Sequence, residues 1–145
     1  MLDQLKISTN QLLTNSTTTK TRDNISLPKT MAQAMAQEQR HAIVVTKATP
    51  PFQIVHVNAA WEGLCGWSQQ ECQGKTLNLL QGRDTDVSSV TALMSKLLQG
   101  EEGGVILTNY TKEGRRFRNH LRVGPMMEQG EELFVGILQE IQDGA

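Results

Sequence analysis

Reactive side chains are few in this chain, and their spacing argues against catalysis. The two cysteines, Cys65 and Cys72, match neither a C-x-x-C pair nor a zinc pattern, and two are too few for a disulfide framework. The three histidines are scattered, without a Cys, Asp or Glu at metal-ligand spacing: His41, His56 and His120. The sequence contains no GxSxG elbow, HExxH motif, P-loop or dinucleotide fingerprint. We therefore predict no catalytic residue, no metal site and no enzymatic activity.

Amide side chains at inward-facing strand positions are the clearest candidates for contact with a ligand. Side chains alternate between the two faces of a strand, so Phe117 and Leu121 place Asn119 on the buried face of its strand. On the preceding strand, Asn109 shares a face with Leu107. An unsatisfied buried amide costs about 1–3 kcal/mol. We therefore expect the two asparagines to bond each other, water or a ligand.

A third candidate lies in the stretch 74–86, which reads GKTLNLLQGRDTD. Leu77 and Leu80 are three residues apart, so one helical turn would place both on the same face. Gln81 follows at the end of that turn, and glycine and aspartate punctuate both ends of the stretch. A short helix of this kind could line a pocket. The alternative is a loop that its leucines anchor to the core.

The elements that would position these residues follow one another in a mixed order. Apolar runs predict strands, and these cover 42–46, 52–57, 105–111, 115–123 and 133–141. Helical spacing and capping residues predict helices, and these cover 59–65, 69–73 and 86–99, with Asn58 as the cap of the first. The chain shows no internal repeat and no doubly wound parallel pattern. Two strands, several short helices and three strands therefore make up the predicted order.

Two motifs carry a resemblance to a known family. The stretch 74–86 resembles GxNCRFLQGxxTD, the signature of light-oxygen-voltage (LOV) domains in the PAS superfamily. The stretch 109–119, NYTKEGRRFRN, resembles the NYxKxGxxFxN of the same domains. The order of elements is also the PAS order, and the resemblance covers about 41–142. It implies an α+β PAS fold, with a five-stranded antiparallel sheet, short helices on one face and an N-terminal flanking helix.

The resemblance also implies which residues would contact a flavin, if one is bound. Gln81, Asn109 and Asn119 match family amides that bond the polar edge of the flavin ring. Thr76 and Asn78 fall in the same site, but they replace an asparagine and an arginine that pairs with the flavin phosphate. Without that arginine FMN loses a charge-assisted partner, whereas riboflavin is less affected. The cofactor is left open between none, FMN and riboflavin.

Three further departures fall at positions that the resemblance links to photochemistry. Leu77 stands where the family has the cysteine that forms the flavin adduct. Leu138 replaces the glutamine that senses the flavin, and Met94 replaces a second phosphate-binding arginine. We therefore expect a light-insensitive LOV-like sensory and signalling module without cysteinyl-flavin photochemistry. Side chains are expected to fill its pocket, and it would act in protein-protein interaction or dimerisation. The alternative is a sensor that binds flavin or another small molecule without forming an adduct.

The last strand indicates that the outer face of the sheet is covered. Both faces of this strand are largely apolar, with Val135 and Ile137 on one of them. Residues 30–40 are good helix formers, with Met31 and Met35 on one side. Either this helix or a second copy of the sheet would cover the face. We predict a homodimer through the outer face and this helix, with those four residues at the interface.

The domain organisation predicted from composition has four parts. Residues 1–29 form a flexible leader rich in Ser, Thr and Asn, 30–40 the flanking helix, 41–142 the PAS/LOV-like domain and 143–145 a tail. The net charge of −1 gives no general attraction to nucleic acid or membranes, and no apolar run approaches the roughly 18 residues of a membrane span. Without a secretory signal, we expect an intracellular location, cytoplasmic or nuclear. The sequence does not identify an effector.

Overall fold

One antiparallel sheet forms the centre of the fold. The computed structural model describes residues 26–36 and 40–142, so 1–25 of the predicted leader and the predicted tail 143–145 lie outside the described residues. The strands are β1 (Ala42–Lys47), β2 (Ile54–Val57), β3 (Gly103–Tyr110), β4 (Arg116–Glu128) and β5 (Glu131–Ile141). Their order in the sheet is β2-β1-β5-β4-β3, and every neighbouring pair is antiparallel. The predicted five-stranded α+β architecture is confirmed.

Short helices connect β2 to β3 on the inner face of this sheet. They are α2 (Ala59–Cys65), α3 (Gln69–Cys72), a 3₁₀ turn (Leu77–Leu80) and α4 (Val87–Leu98); a further helix, α1 (Met31–Ala34), precedes β1. Asn58, Ser68 and Asp86 cap the three inner α-helices, because each side chain accepts a backbone N–H of the first turn. The longest helix in the described ranges, α4, has 12 residues, and none of the described helices could cross a bilayer.

β4 is longer than the sequence predicted, because the strand continues past Pro125 to Glu128. β3 begins opposite Val123, so beyond that residue β4 pairs with β5 alone. Proline is tolerated at a sheet edge, where its missing N–H costs no bond to a further strand. Gln129 and Gly130, with φ of 50° and 83°, then form the two-residue hairpin turn into β5. The predicted strand end at residue 123 is therefore wrong.

The outer face of the sheet is covered by the chain's own N-terminal segment. The apolar residues between them, here called the outer cluster, come from this segment and from β1, β4 and β5: Leu27, Ala34, Ile43, Val45, Met126, Leu133, Val135 and Ile137. Met31 packs against the edge of the cluster. Of the two covers that the sequence left open, a flanking helix or a second sheet, the described chain supplies the first.

This covering segment differs in its bounds from the predicted leader and flanking helix. Leu27 is buried in the outer cluster, although it falls within the predicted leader 1–29. The predicted helix 30–40 begins as expected, with Thr30 as its cap, but α1 ends at Ala34. Residues 37–39 of that prediction lie outside the described residues. So short a helix is not stable alone, and the packing of Leu27 and Ala34 on the sheet holds it in place. The covering segment therefore begins at least three residues before the predicted boundary.

Asn58 joins the start of α2 to β1. Its Oδ1 accepts the N–H groups of Ile43 at 2.9 Å and Trp61 at 3.0 Å, and its Nδ2 donates to the carbonyl of His41 at 2.8 Å. We expect Asn58→Ala to lower the free energy of unfolding by about 2 kcal/mol, because a cap and two further bonds are lost. Urea denaturation measures this loss. Ser68→Ala removes a cap whose side chain, among the described residues, bonds only within its own helix, and it should cost about 1 kcal/mol. Equal losses in the two variants would contradict a role of Asn58 in joining α2 to β1.

Candidate ligand cavity

A cavity of about 330 Å³ lies between the inner face of the sheet, the 3₁₀ turn and α4. This volume is at the lower end of the range of about 300–1,000 Å³ that is usual for small-molecule sites. Its wall is mainly apolar and includes residues from the sheet and from α4: Val44, Val90, Leu93, Leu97, Leu107, Leu121, Val123 and Phe134. The shape and lining are those of a site for a compact, largely apolar ligand.

All eight residues that the sequence associated with a flavin site line this cavity. They are Thr76, Leu77, Asn78, Gln81, Met94, Asn109, Asn119 and Leu138. The expectation that side chains fill the pocket is wrong, because Leu77 and Met94 are only half-buried and lie on its walls. The sequence did not single out Thr46 or Phe52, which also line the cavity. Both precede the motif in the chain and fall outside the two stretches that carry the resemblance.

Hydrogen bonds to β3 hold the 3₁₀ turn and the following loop at a fixed distance from the sheet. The carbonyl of Leu80 accepts from Asn109 Nδ2 at 3.1 Å. Thr85 Oγ1 donates to the carbonyl of Thr108 at 2.6 Å and accepts the N–H of Gly82 at 3.0 Å. These bonds fix the backbone of the turn on one side of the cavity, whose wall includes Leu77 and Met94.

A close approach at Gly82 strengthens this attachment. A Cβ atom at Gly82 would lie 2.4 Å from Cε1 of Tyr110, so only glycine fits there. The Tyr110 hydroxyl accepts the N–H of Asp84 at 3.0 Å, and the Asp84 carboxylate pairs with Arg116. Tyr110 is therefore a positioning residue of the loop. Sequence analysis did not assign it this role, although it belongs to the second motif.

The two inward asparagines form one directed pair in the cavity wall. Asn119 Nδ2 donates to Asn109 Oδ1 at 2.9 Å, and Asn109 Nδ2 donates to the carbonyls of Leu80 and Thr108 at 3.1 and 3.2 Å. Asn109 is 4% exposed and Asn119 is 1% exposed. Asn119 Oδ1 has no hydrogen-bond partner among the described residues. The pair therefore presents a buried acceptor, which an N–H or O–H group of a ligand would satisfy.

The charge of the wall decides which parts of a flavin the cavity fits. None of the described residues that line it is Asp, Glu, Lys, Arg or His. Lys75 and Arg83 flank the 3₁₀ turn, but both are exposed and neither lines the cavity. An uncharged ring with an N–H donor fits the apolar wall and the Asn119 acceptor. A phosphate finds no cationic side chain on the same wall.

Neither cysteine lines the cavity. Cys65 and Cys72 are buried in the inner core with free thiols. Burial raises the pKa of Cys65 to about 12, and it also raises the pKa of Cys72. A reactive thiol needs the opposite shift, so nothing in these surroundings activates either residue. Among the described residues there is also no cluster of three side chains that could hold a metal ion.

The thiols give a prediction about reactivity and pH. In native protein at pH 8, we expect both cysteines to resist a thiol reagent, and denaturant should expose both. Because folding raises the pKa of Cys65 above 9, the folded state binds more protons above that pH. Stability should therefore fall as pH rises through the interval between 9 and 12. Ellman titration with and without guanidinium measures the first effect, and rapid modification of the native protein would contradict it.

The four residues predicted to form an interface differ in how far they are exposed. Val135 and Ile137 are 1% and 2% exposed within a single chain, because the covering segment lies on them. Met31 is half-buried at the edge of the same cluster, and Met35, after the end of α1, is 55% exposed. A second chain could contact Met35 directly. It could contact Val135 and Ile137 only after the covering segment has moved away.

Comparisons with known proteins agree with this geometry. The sequence matches the family described as PAS fold over residues 30–141. It is 34% identical over 89 residues to the blue-light photoreceptor of Listeria monocytogenes, covering 61% of this chain and 35% of that protein. It is 36% identical over 86 residues to blue-light-activated histidine kinase 2 of Erythrobacter litoralis, covering 58% of this chain and 25% of that protein. The chain thus spans about a third or less of these relatives.

Solved structures show the same similarity. The LOV domain of the EL346 blue-light-activated histidine kinase from Erythrobacter litoralis superposes with a TM-score of 0.67 at 28% identity, over 73% of this chain and 100% of that chain. A LOV domain studied with a flavin analogue gives a TM-score of 0.66 at 25% identity, over 72% of this chain and 79% of that chain.

Proposed function

The chain belongs to the PAS fold family, and from this we propose that its cavity binds a small molecule reversibly, without forming a cysteinyl adduct. The chain is a sensory module of LOV type, homologous to part of known blue-light photoreceptors. One observation carries the proposal: the cavity of about 330 Å³ is lined by Leu77 and by Asn119, whose buried Oδ1 has no hydrogen-bond partner among the described residues. A filled core would leave neither space nor an unsatisfied amide.

The residues of the cavity divide the work of binding in this proposal. The apolar wall excludes water from the faces of a ring, and Asn119 accepts a hydrogen bond from its polar edge. Asn109 orients Asn119 and ties the wall to the 3₁₀ turn. A bound flavin would supply absorption of blue light. The Leu77 side chain has neither an acidic proton nor a nucleophilic lone pair that could form a bond to the ring, so binding stays non-covalent.

Absorption spectroscopy tests the proposal. The purified chain is incubated with riboflavin or FMN, separated from free ligand and measured before and after blue light. We expect a retained flavin band that light does not bleach reversibly. Reversible bleaching to an adduct spectrum would refute the absence of photochemistry, and complete loss of both flavins on separation, with no change in melting temperature, would refute flavin as the ligand.

A single thiol at position 77 should not create photochemistry. Leu77 lines the cavity, but the cavity wall has no charged side chain that would stabilise a thiolate, and four other positions differ from the family pattern: Thr76, Asn78, Met94 and Leu138. We therefore expect flavin-loaded Leu77→Cys to keep its absorption band under blue light. Leu79→Cys, which places a thiol on the same turn outside the cavity wall, is the matched control. Bleaching in Leu77→Cys alone would contradict this expectation.

A second candidate function is protein interaction, including homodimerisation, through the outer face and the N-terminal helix. Its support is the layout of the covering segment: a four-residue helix over a wide apolar face, followed by an exposed methionine at Met35. We expect a partner surface to be able to displace so short a covering segment and to bind the outer face in its place. Relatives include proteins named histidine kinases, so an effector that reads this face is part of the same proposal.

A further inference from the structure

The wall of the cavity offers no cationic side chain to an anionic group. The residues that line it are apolar or carry neutral amides and hydroxyls. A helix N-terminus is a common anion site, and α4 begins beside the loop that follows the 3₁₀ turn. This N-terminus, however, is already occupied by the carboxylate of Asp86, which accepts from the N–H and Oγ of Ser88 and from Ser89 Oγ.

The capping carboxylate stays charged. Its bonds to Ser88 and Ser89 lower the pKa of Asp86 below the ordinary value for an aspartate. This negative charge would repel a second anion at the same helix end, and the cavity wall has no cation to offset the repulsion. Arg116, at the start of β4, does not line the cavity either and is paired with Asp84 on the surface.

The polar features of the cavity favour a neutral donor instead. Asn119 Oδ1 is a buried acceptor without a hydrogen-bond partner among the described residues. Leaving it unsatisfied costs free energy, which a hydrogen bond from an N–H or O–H group of a ligand would recover. The walls around it are leucine, valine and phenylalanine, which suit the faces of a planar ring. A ligand that suits this cavity is therefore planar, carries an N–H or O–H donor on one edge and has no net charge.

We infer that the ligand of this cavity is an uncharged heteroaromatic ring with an N–H donor, and that a phosphate on the ligand weakens its binding. The inference rests on the proposed small-molecule function and narrows it. In terms of available probes, riboflavin and the ring compound lumichrome represent the preferred class, and FMN represents the phosphorylated one. The signalling input would then be the supply of a neutral metabolite instead of a phosphorylated coenzyme.

Competitive and direct titrations on the full 145-residue chain test this inference. Dissociation constants for riboflavin, lumichrome and FMN are measured by flavin fluorescence at low and at moderate salt. We expect riboflavin to bind at least threefold more tightly than FMN, with lumichrome also binding. FMN binding as tightly as riboflavin, or more tightly, would overturn the inference and leave the proposed small-molecule function standing. Failure of all three to bind would overturn both in their flavin form.

Placing a cation on the wall should reverse the preference. Met94 lines the cavity from α4, whereas Ser95, the next residue, is exposed on the same helix. We expect Met94→Arg to tighten FMN binding about tenfold relative to riboflavin, because the phosphate gains a charge-assisted partner. Ser95→Arg adds the same charge outside the cavity and should change the ratio less than twofold. Equal gains in both variants would show that the missing wall cation is not the cause. If Met94→Arg does not fold, the titrations of the unmodified chain still decide the inference.

Discussion

Replacing Ala34 with aspartate should lower the free energy of unfolding by about 3 kcal/mol and uncover the outer face of the sheet. Ala34 is 0% exposed and sits in the outer cluster between the covering segment and the sheet. A carboxylate there would be buried without a partner, which costs several kcal/mol unless the segment moves. The cheaper response is release of the segment, which forfeits the burial of Leu27 at about 1.5–3 kcal/mol.

Ala32→Asp is the matched control, because Ala32 is exposed on the same helical turn. Its stability should stay within about 0.5 kcal/mol of the unmodified chain. Urea denaturation measures both variants, and light scattering reports their oligomeric state. Release of the segment in Ala34→Asp exposes Val135 and Ile137, so we also expect this variant to self-associate. Equal stability of the two variants would show that the covering segment does not hold the outer face.

Local signals in the sequence were sufficient for most of the fold. The Asn58 cap, the alternation around Asn119 and the apolar spacing of α4 each follow from short-range geometry, and each is found in the structure. These features depend on residues only a few positions apart. Side-chain direction along a strand also needs no knowledge of the neighbouring strands.

Features that depend on distant partners were not predictable in the same way. The end of β4 depends on where β3 stops pairing, which permits Pro125 within the strand. The burial of Leu27 depends on a face formed by β1, β4 and β5, about 15 to more than 100 residues later in the chain. The sequence around Leu27 is polar and rich in Ser and Thr, so composition alone did not predict that Leu27 is buried.

The cavity shows this division most clearly. Strand alternation placed Asn109 and Asn119 on the inner face, and the resemblance to LOV domains indicated the other six of the eight lining residues named above. They did not predict its volume, since volume depends on how far apart the backbones are held. That separation is set by bonds such as Thr85 to Thr108 and Asn109 to Leu80, which join segments more than 20 residues apart.

The two asparagines should have separable roles, and this gives the second large effect. We expect Asn109→Leu to lower the free energy of unfolding by about 3 kcal/mol, because it leaves the Leu80 carbonyl and Asn119 Nδ2 without partners in a buried site. Asn119→Leu leaves only Asn109 Oδ1 unpartnered and removes an acceptor that is itself unsatisfied. Its cost should be about 1 kcal/mol.

Although Asn119→Leu should have the smaller effect on stability, we expect it to have a large effect on ligand binding. Asn119→Leu removes the acceptor for the ligand's N–H and should weaken riboflavin binding at least tenfold in a protein that remains folded. The 3-methyl derivative of riboflavin, which lacks the ring N–H, should bind the unmodified chain and Asn119→Leu about equally weakly. A thermodynamic cycle over two proteins and two ligands isolates this hydrogen bond. If Asn119→Leu bound riboflavin unchanged, the buried acceptor would have no part in recognition, and the apolar wall alone would define the site.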